Sequence, residues 1–196
     1  MRLRLAAYLA EAYDAQAYDA QASEDWRKKY NYVWGFREGL AAVRLKSKYG
    51  FVNEEGKEVV EPKYDDVRNF HDGLAMVGLD RKYGFVNQKG EVVIKLMYDF
   101  AGPFYEGLAA VELKGKWGFV NQKGEEVVEL KYVKVYNFHE GLAQVMLNRK
   151  WGYVDTKGEE VVPPGKYNDE DLKSIKTYLK LGGNPDVILP NFKPIA

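Results

Sequence analysis

The segment KWGFVNQKGEEVVELKY (116–132) returns 34 positions later as KWGYVDTKGEEVVPPGKY (150–167). It also stands upstream as KYGFVNEEGKEVVEPKY (48–64) and KYGFVNQKGEVVIKLMY (82–98). A fixed internal period constrains the fold more than any other feature, because every copy must take one shape and pass the chain on to the next. In register the copies are 30–63, 64–97, 98–131 and 132–166, the last longer by one residue. Four columns recur in all of them: Phe36, Phe70, Phe104, Phe138; Gly39, Gly73, Gly107, Gly141; Val43, Val77, Val111, Val145; and Leu45, Leu79, Leu113, Leu147.

Each copy reads as strands. LAAVEL (108–113) and KWGFVN (116–121) are rich in β-branched and aromatic residues. The two residues between such runs (Lys46-Ser47, Asp80-Arg81, Lys114-Gly115, Asn148-Arg149) predict a tight hairpin. NEEG, NQKG, NQKG and DTKG then fit a type I turn closed by a glycine in the left-handed region. A third strand, EVV or VVI, follows, so the unit is expected to be a three-stranded meander plus a loop of about a dozen residues. One such unit buries too little apolar surface to offset the entropy of ordering its backbone, so copies must lean on one another.

The hairpin assigns faces. Ala41, Val43 and Leu45 share one side with Gly50 and Val52; Tyr49 and Phe51 share the other with Ala42 and Arg44. The aliphatic side is the expected core. The aromatic side, with Arg44, Gly78, Glu112 and Met146 in one column, is expected to be only partly sealed from water. Gly50, opposite Val43, is read as leaving room for the neighbouring copy.

Taken together, KWGFVNQKGEEVVELKY and NFHEGLAQV resemble the WG repeat (tryptophan–glycine β-repeat) family over residues 30–166. The defining pairs are Trp117-Gly118 and Trp151-Gly152, with Tyr49-Gly50 and Tyr83-Gly84 as variants. Trp34-Gly35 falls in a different column, with Arg68, Gly102 and Tyr136. The resemblance implies an all-β repeat array and brings no catalytic residues with it. The expected fold is four 34-residue, three-stranded units in an open, twisted, solenoid-like sheet with helical N- and C-terminal caps. A closed four-bladed, propeller-like ring is the alternative.

Outside the array, 1–29 is expected to be an N-terminal helical segment, with Leu5, Leu9 and Tyr13 on one face and Ser23 capping a short second helix that ends near Lys29. Residues 167–196 are expected to hold a helix capped by Asn168, with Leu172, Ile175 and Leu179 on one face, then an extended tail. Open arrays have raw ends, and terminal elements cover them.

The sequence offers no catalytic constellation. Cysteine is absent; Ser23, Ser47 and Ser174 lie near no base. His71 and His139 stand two whole copies apart, too far to share an ion. The 29 basic and 29 acidic residues are interleaved, which argues against nucleic acid as a partner. No stretch is long and apolar enough to span a membrane, and the expected location is cytoplasmic. Two charged rows, Lys48/Lys82/Lys116/Lys150 and Glu38/Asp72/Glu106/Glu140, are expected to form ion pairs at the surface.

The expected function is a non-enzymatic scaffold, without cofactor or metal, for an unidentified protein partner or for self-assembly. Glycan or cell-envelope binding is the alternative. The candidate surface is the aromatic column Tyr49, Tyr83, Trp117 and Trp151, which could stack sugar rings or anchor a partner. Residues that change between copies, Trp34, Arg44, Tyr105, Met76 and Met146, are the candidates for specificity.

Overall fold

The computed structural model describes residues 26–181 and 183. The helix expected within 1–25 and the tail from 184 onward lie outside the described residues. The four copies fold as four antiparallel sheets of four strands, each ordered as in the chain. Unit 1 holds β1 (Tyr32–Val33), β2 (Leu40–Leu45), β3 (Lys48–Asn53) and β4 (Glu58–Tyr64). Unit 2 holds β5 (Asp66–Val67), β6 (Leu74–Leu79), β7 (Lys82–Asn87) and β8 (Val92–Tyr98). Unit 3 holds β9 (Phe100–Tyr105), β10 (Leu108–Leu113), β11 (Lys116–Asn121) and β12 (Glu126–Tyr132). Unit 4 holds β13 (Lys134–Val135), β14 (Leu142–Leu147), β15 (Lys150–Asp155) and β16 (Glu160–Val162).

The first strand of each unit corrects the expected three-stranded meander. The segment read as a loop crosses back beside the next strand, pairing Val33 with Val43 and Val67 with Val77. It then turns through Glu38-Gly39 and its equivalents, where both residues have positive φ (51° and 75° in unit 1), as a two-residue type I′ hairpin requires. Arg37 faces Leu40 across that turn and His71 faces Leu74. The second hairpin has the expected register: Ala41 opposes Val52, Val43 opposes Gly50 and Arg44 opposes Tyr49.

Both faces of every sheet pack on a neighbour, and the aromatic face is sealed only in part, as expected: Ala42 and Phe51 are buried, while Tyr49 is half-buried and Arg44 exposed. The aromatic face of one unit takes the aliphatic face of the next. Phe51, Val60 and Tyr64 of unit 1 share a buried cluster with Ala75, Val77 and Val86 of unit 2. Phe85 and Ile94 meet Ala109, Val111 and Val120, and Phe119 and Val128 meet Ala143, Val145 and Val154. At each junction a buried edge-on or tilted phenylalanine pair crosses between units: Phe51–Phe70 at 4.8 Å, Phe85–Phe104 at 4.8 Å, Phe119–Phe138 at 4.7 Å.

The array is open, and each end has its own cover. At one end Trp26, from a 3-10 turn over Trp26–Lys29, and Tyr30 lie on Ala41, Val43 and Val52. At the other, helix α1 (Asp169–Lys180) packs Leu172 and Ile175 on Tyr153 and Val162. The side chain of Asn168 accepts from the N–H groups of Glu170 and Asp171 at the helix start, and three acidic residues occupy the first turn, where the helix dipole favours them.

The glycine after each Tyr or Trp has a different neighbour from the one expected. A Cβ on Gly118 would lie 2.4 Å from the carbonyl oxygen of Val128, on β12 of the same unit, and Gly50, Gly84 and Gly152 repeat the contact at 2.3–2.4 Å. The fourth strand bulges here: Trp117 pairs with Tyr132 and Phe119 with Val128, so the one residue between them, Gly118, faces three (129–131). The close approach is thus within a unit, not between copies.

Candidate functional site: the grooves between units

Alternation along the third strand separates two aromatic columns. Phe51, Phe85, Phe119 and Tyr153 are buried; the three phenylalanines hold units together, and Tyr153 seats helix α1. Tyr49, Tyr83, Trp117 and Trp151 stand two residues earlier, near the mouth of the junction, and are half-buried. Each meets a ring on or beside a first strand: Trp34 with Tyr49 at 5.7 Å, Phe100 with Tyr83 at 6.3 Å and with Trp117 at 5.3 Å, and Tyr136 stacked on Trp151 at 5.4 Å.

Where the first strand of one unit fails to close against the unit before it, a groove opens. Between units 1 and 2 it measures about 240 Å³ and is lined by Trp34, Ala42, Tyr49 and the segment 66–69. Between units 2 and 3 it is about 580 Å³, lined by Arg37, Asp66, Arg68, His71, Met76, Tyr83, Phe100 and the segment 101–103. Between unit 4 and α1 it is about 500 Å³, with Gln144, Trp151 and Tyr153 on one wall and Asp169, Lys173 and Lys176 on the other. Residues 42, 76 and 144 are one column of the repeat, and 49, 83 and 151 another. The three grooves are therefore one design with different side chains.

The electrostatics differ from groove to groove. At the 2–3 junction Arg37 and Arg68 are exposed, and neither guanidinium has an ion-pair partner among the described residues. In the last groove Lys176 lies 5.9 Å from the Tyr153 ring. Burial, with a smaller contribution from the Asp169 charge, pushes the Tyr153 hydroxyl above its ordinary range, so it stays protonated there.

The charged rows do not pair with each other as expected. Lys48 and Lys82 reach Asp65 and Asp99, which also accept the N–H groups of Asp80 and Lys114. The lysine hydrogen bonds first, and those N–H groups second, hold both carboxyls below the usual aspartate range. Glu38 and Glu106 latch units instead: Glu38 accepts from Gly73 N at 2.9 Å, and Glu106 from Glu140 N and Gly141 N at 2.6 and 2.8 Å. His71 and His139 are exposed, each beside its own acidic neighbour.

Of the residues singled out in the sequence, Trp34, Tyr49, Met76, Tyr83 and Trp151 line grooves. Trp117 stands at the equivalent position in unit 3 and packs on Phe100. Met76 is buried, forming a groove floor. Arg44 and Met146 oppose Tyr49 and Trp151 on the neighbouring strand, with the Arg44 guanidinium 5.8 Å from the Tyr49 ring. Tyr105, at the end of β9, is exposed and lies outside these grooves. Sequence reading missed Arg37, Asp66, Arg68, Phe100 and the helix lysines. A signal for three of them was present: the columns Tyr32/Asp66/Phe100/Lys134 and Trp34/Arg68/Gly102/Tyr136 change in every copy.

This is an all-β repeat protein in which stacked sheets present grooves at their junctions. The chain belongs to the WG repeat family: the family model described as "WG containing repeat" matches residues 28–49, 49–83, 83–117, 117–151 and 151–169. No curated protein matches it. Among solved structures, the chain is similar to "KlHsv2 with loop 6CD replaced by a Gly-Ser linker" at 10% identity and a TM-score of 0.41, with 63% of this chain and 47% of that one covered. The chain thus spans less than half of that protein's length. It is also similar to a structure described as "The de novo evolutionary emergence of a symmetrical protein is shaped by folding constraints", at 10% identity and a TM-score of 0.32, with 68% and 73% covered. Among the described residues no helix is long and apolar enough to cross a membrane.

Proposed function

We propose that this chain is a non-enzymatic scaffold that holds a protein partner in the grooves between its units. One observation carries the reading: a single groove design recurs along the array while its lining side chains change, and a repeat protein gains selectivity in just this way. The recurring ring supplies a rigid apolar wall, and the changing residues supply charge and size. The 2–3 groove, with Arg37 and Arg68 beside Tyr83 and Phe100, suits an acidic segment carrying an apolar anchor, because guanidinium groups bind carboxylates in a fixed two-point geometry.

A photo-crosslinking residue at position 76, with the captured protein identified by mass spectrometry, tests this. Capture of one defined protein, lost in an Arg37→Glu, Arg68→Glu variant that still folds, supports the reading. No capture, or capture indifferent to the charge reversal, overturns it.

The glycan reading has its own observation. Tyr136, 49% exposed, stacks at 25° on Trp151, and the Lys134 ammonium lies 5.0 Å from the Tyr136 ring and 5.9 Å from the Trp151 ring. A glycan array probed with wild type and a Trp117→Ala, Trp151→Ala variant separates the two readings. A sugar signal abolished by the variant favours the glycan; no signal, or one the variant leaves intact, removes it.

A further inference from the structure

The grooves open beside the first strands; the opposite border of each sheet is its fourth strand, and there the four copies differ in a second way. A border strand carries unpaired N–H and C=O groups, and proteins guard it with charge or proline. β4 carries Glu58, Glu61, Pro62 and Lys63; β12 carries Glu126, Glu129 and Lys131; β16 carries Glu160 and is followed at once by Pro163 and Pro164. β8 keeps one such charge, Lys95, and has lost the rest. Its sequence is VVIKLMY, with Val92 where the other units place glutamate and Met97 where units 1 and 3 place lysine. Val92, Val93 and Met97 are 50%, 38% and 46% exposed. The bulge against the third strand is shared by β4, β8 and β12, so it does not account for the difference. Among the described residues β8 pairs only with β7.

We infer that β8 is a self-association edge, pairing antiparallel with β8 of a second copy of this chain about a two-fold axis at Val93. The charges select this occupant. With the axis at Val93, residues whose numbers sum to 186 oppose each other, so Glu91 of each copy faces Lys95 of the other, and Val92 faces Ile94. A guarded border would instead bring like charges or a proline into the pairing. One strand per copy buries well under about 1,200 Å², which places the dimer in the weak, reversible class.

Sedimentation of the full chain from about 1 to about 500 µM tests this. The apparent mass of wild type rises toward twice the monomer value. The Val92→Glu, Met97→Lys variant, which installs residues that other units of this chain already carry, stays monomeric with unchanged circular dichroism and melting. The protein has no cysteine, so a single Val93→Cys substitution gives an unambiguous probe. Directly opposed residues of an antiparallel pair have Cα atoms about 4.5–5.5 Å apart, within disulfide reach. Mild oxidation therefore cross-links Val93→Cys into a dimer and leaves Val127→Cys, on the guarded β12, monomeric. A wild type that stays monomeric throughout, a charge variant that dimerises as wild type does, or equal cross-linking at both positions overturns the inference. The groove variant Arg37→Glu, Arg68→Glu dimerises normally, so the two proposals fail separately.

Discussion

Replacing Gly118 by alanine adds one methyl group at the most crowded point of unit 3. The new Cβ would stand 2.4 Å from the Val128 carbonyl oxygen and 2.9 Å from the backbone carbon of Glu129. Both are backbone atoms of a paired strand, so no rotamer change relieves the contact and the bulge must move. Forced overpacking in a well-packed interior costs about 1–3 kcal/mol, and a clash with backbone belongs at or above the upper end. For a chain of this size about 3 kcal/mol lowers the melting temperature by about 6–12 °C. Gly102 is the matched control. It too lies in a strand and is buried, yet its added Cβ would meet nothing nearer than 3.6 Å. Its alanine variant has no clash and a stiffer unfolded chain, so it holds its stability or gains up to about 1 kcal/mol. Thermal and urea unfolding of the two variants beside wild type give the comparison. A Gly118→Ala protein melting within about 1 °C of wild type, or a Gly102→Ala protein falling equally far, would refute the steric account of the signature glycine.

Acid should weaken the array through Asp65 and Asp99. Their folded-state values lie below the ordinary aspartate value, so their stabilisation is complete above about pH 4 and is lost as pH falls through the lowered values. An Asp65→Asn, Asp99→Asn variant should show a shallower loss of melting temperature over that acid interval, and identical slopes would contradict the assignment. Truncating Phe119, fully buried against Phe138, should cost about 3–5 kcal/mol by equilibrium unfolding; a cost below about 1 kcal/mol would show that the ring pair does not hold units 3 and 4 together.

The period, the hairpin register and the need for caps were legible in the sequence because they depend on local spacing. Ala41 opposes Val52 because a two-residue link leaves no other alignment, and Asn168 caps α1 through its own neighbours. The extra strand was not legible: Asp66-Val67 is too short to show alternation, and its pairing depends on the turn at Asp72-Gly73. Nor was the partner of each buried ring, since Phe51 meets Phe70 only when two units stack. The grooves were the least legible feature. Arg37 of unit 1 and Phe100 of unit 3 line one space though 63 positions separate them, and no pattern within a 34-residue copy joins those positions.

Leu172 and Ile175 offer unit 4 the kind of aliphatic surface that Ala143 and Val154 offer unit 3. At the other terminus, Trp26 and Tyr30 give unit 1 the aromatic cover it would otherwise take from a preceding copy. Duplication or deletion of one whole 34-residue block therefore leaves both termini seated on surfaces of the kind they already cover. A chain of this design can gain or lose a unit without redesigning either end, and the number of inter-unit grooves changes with it.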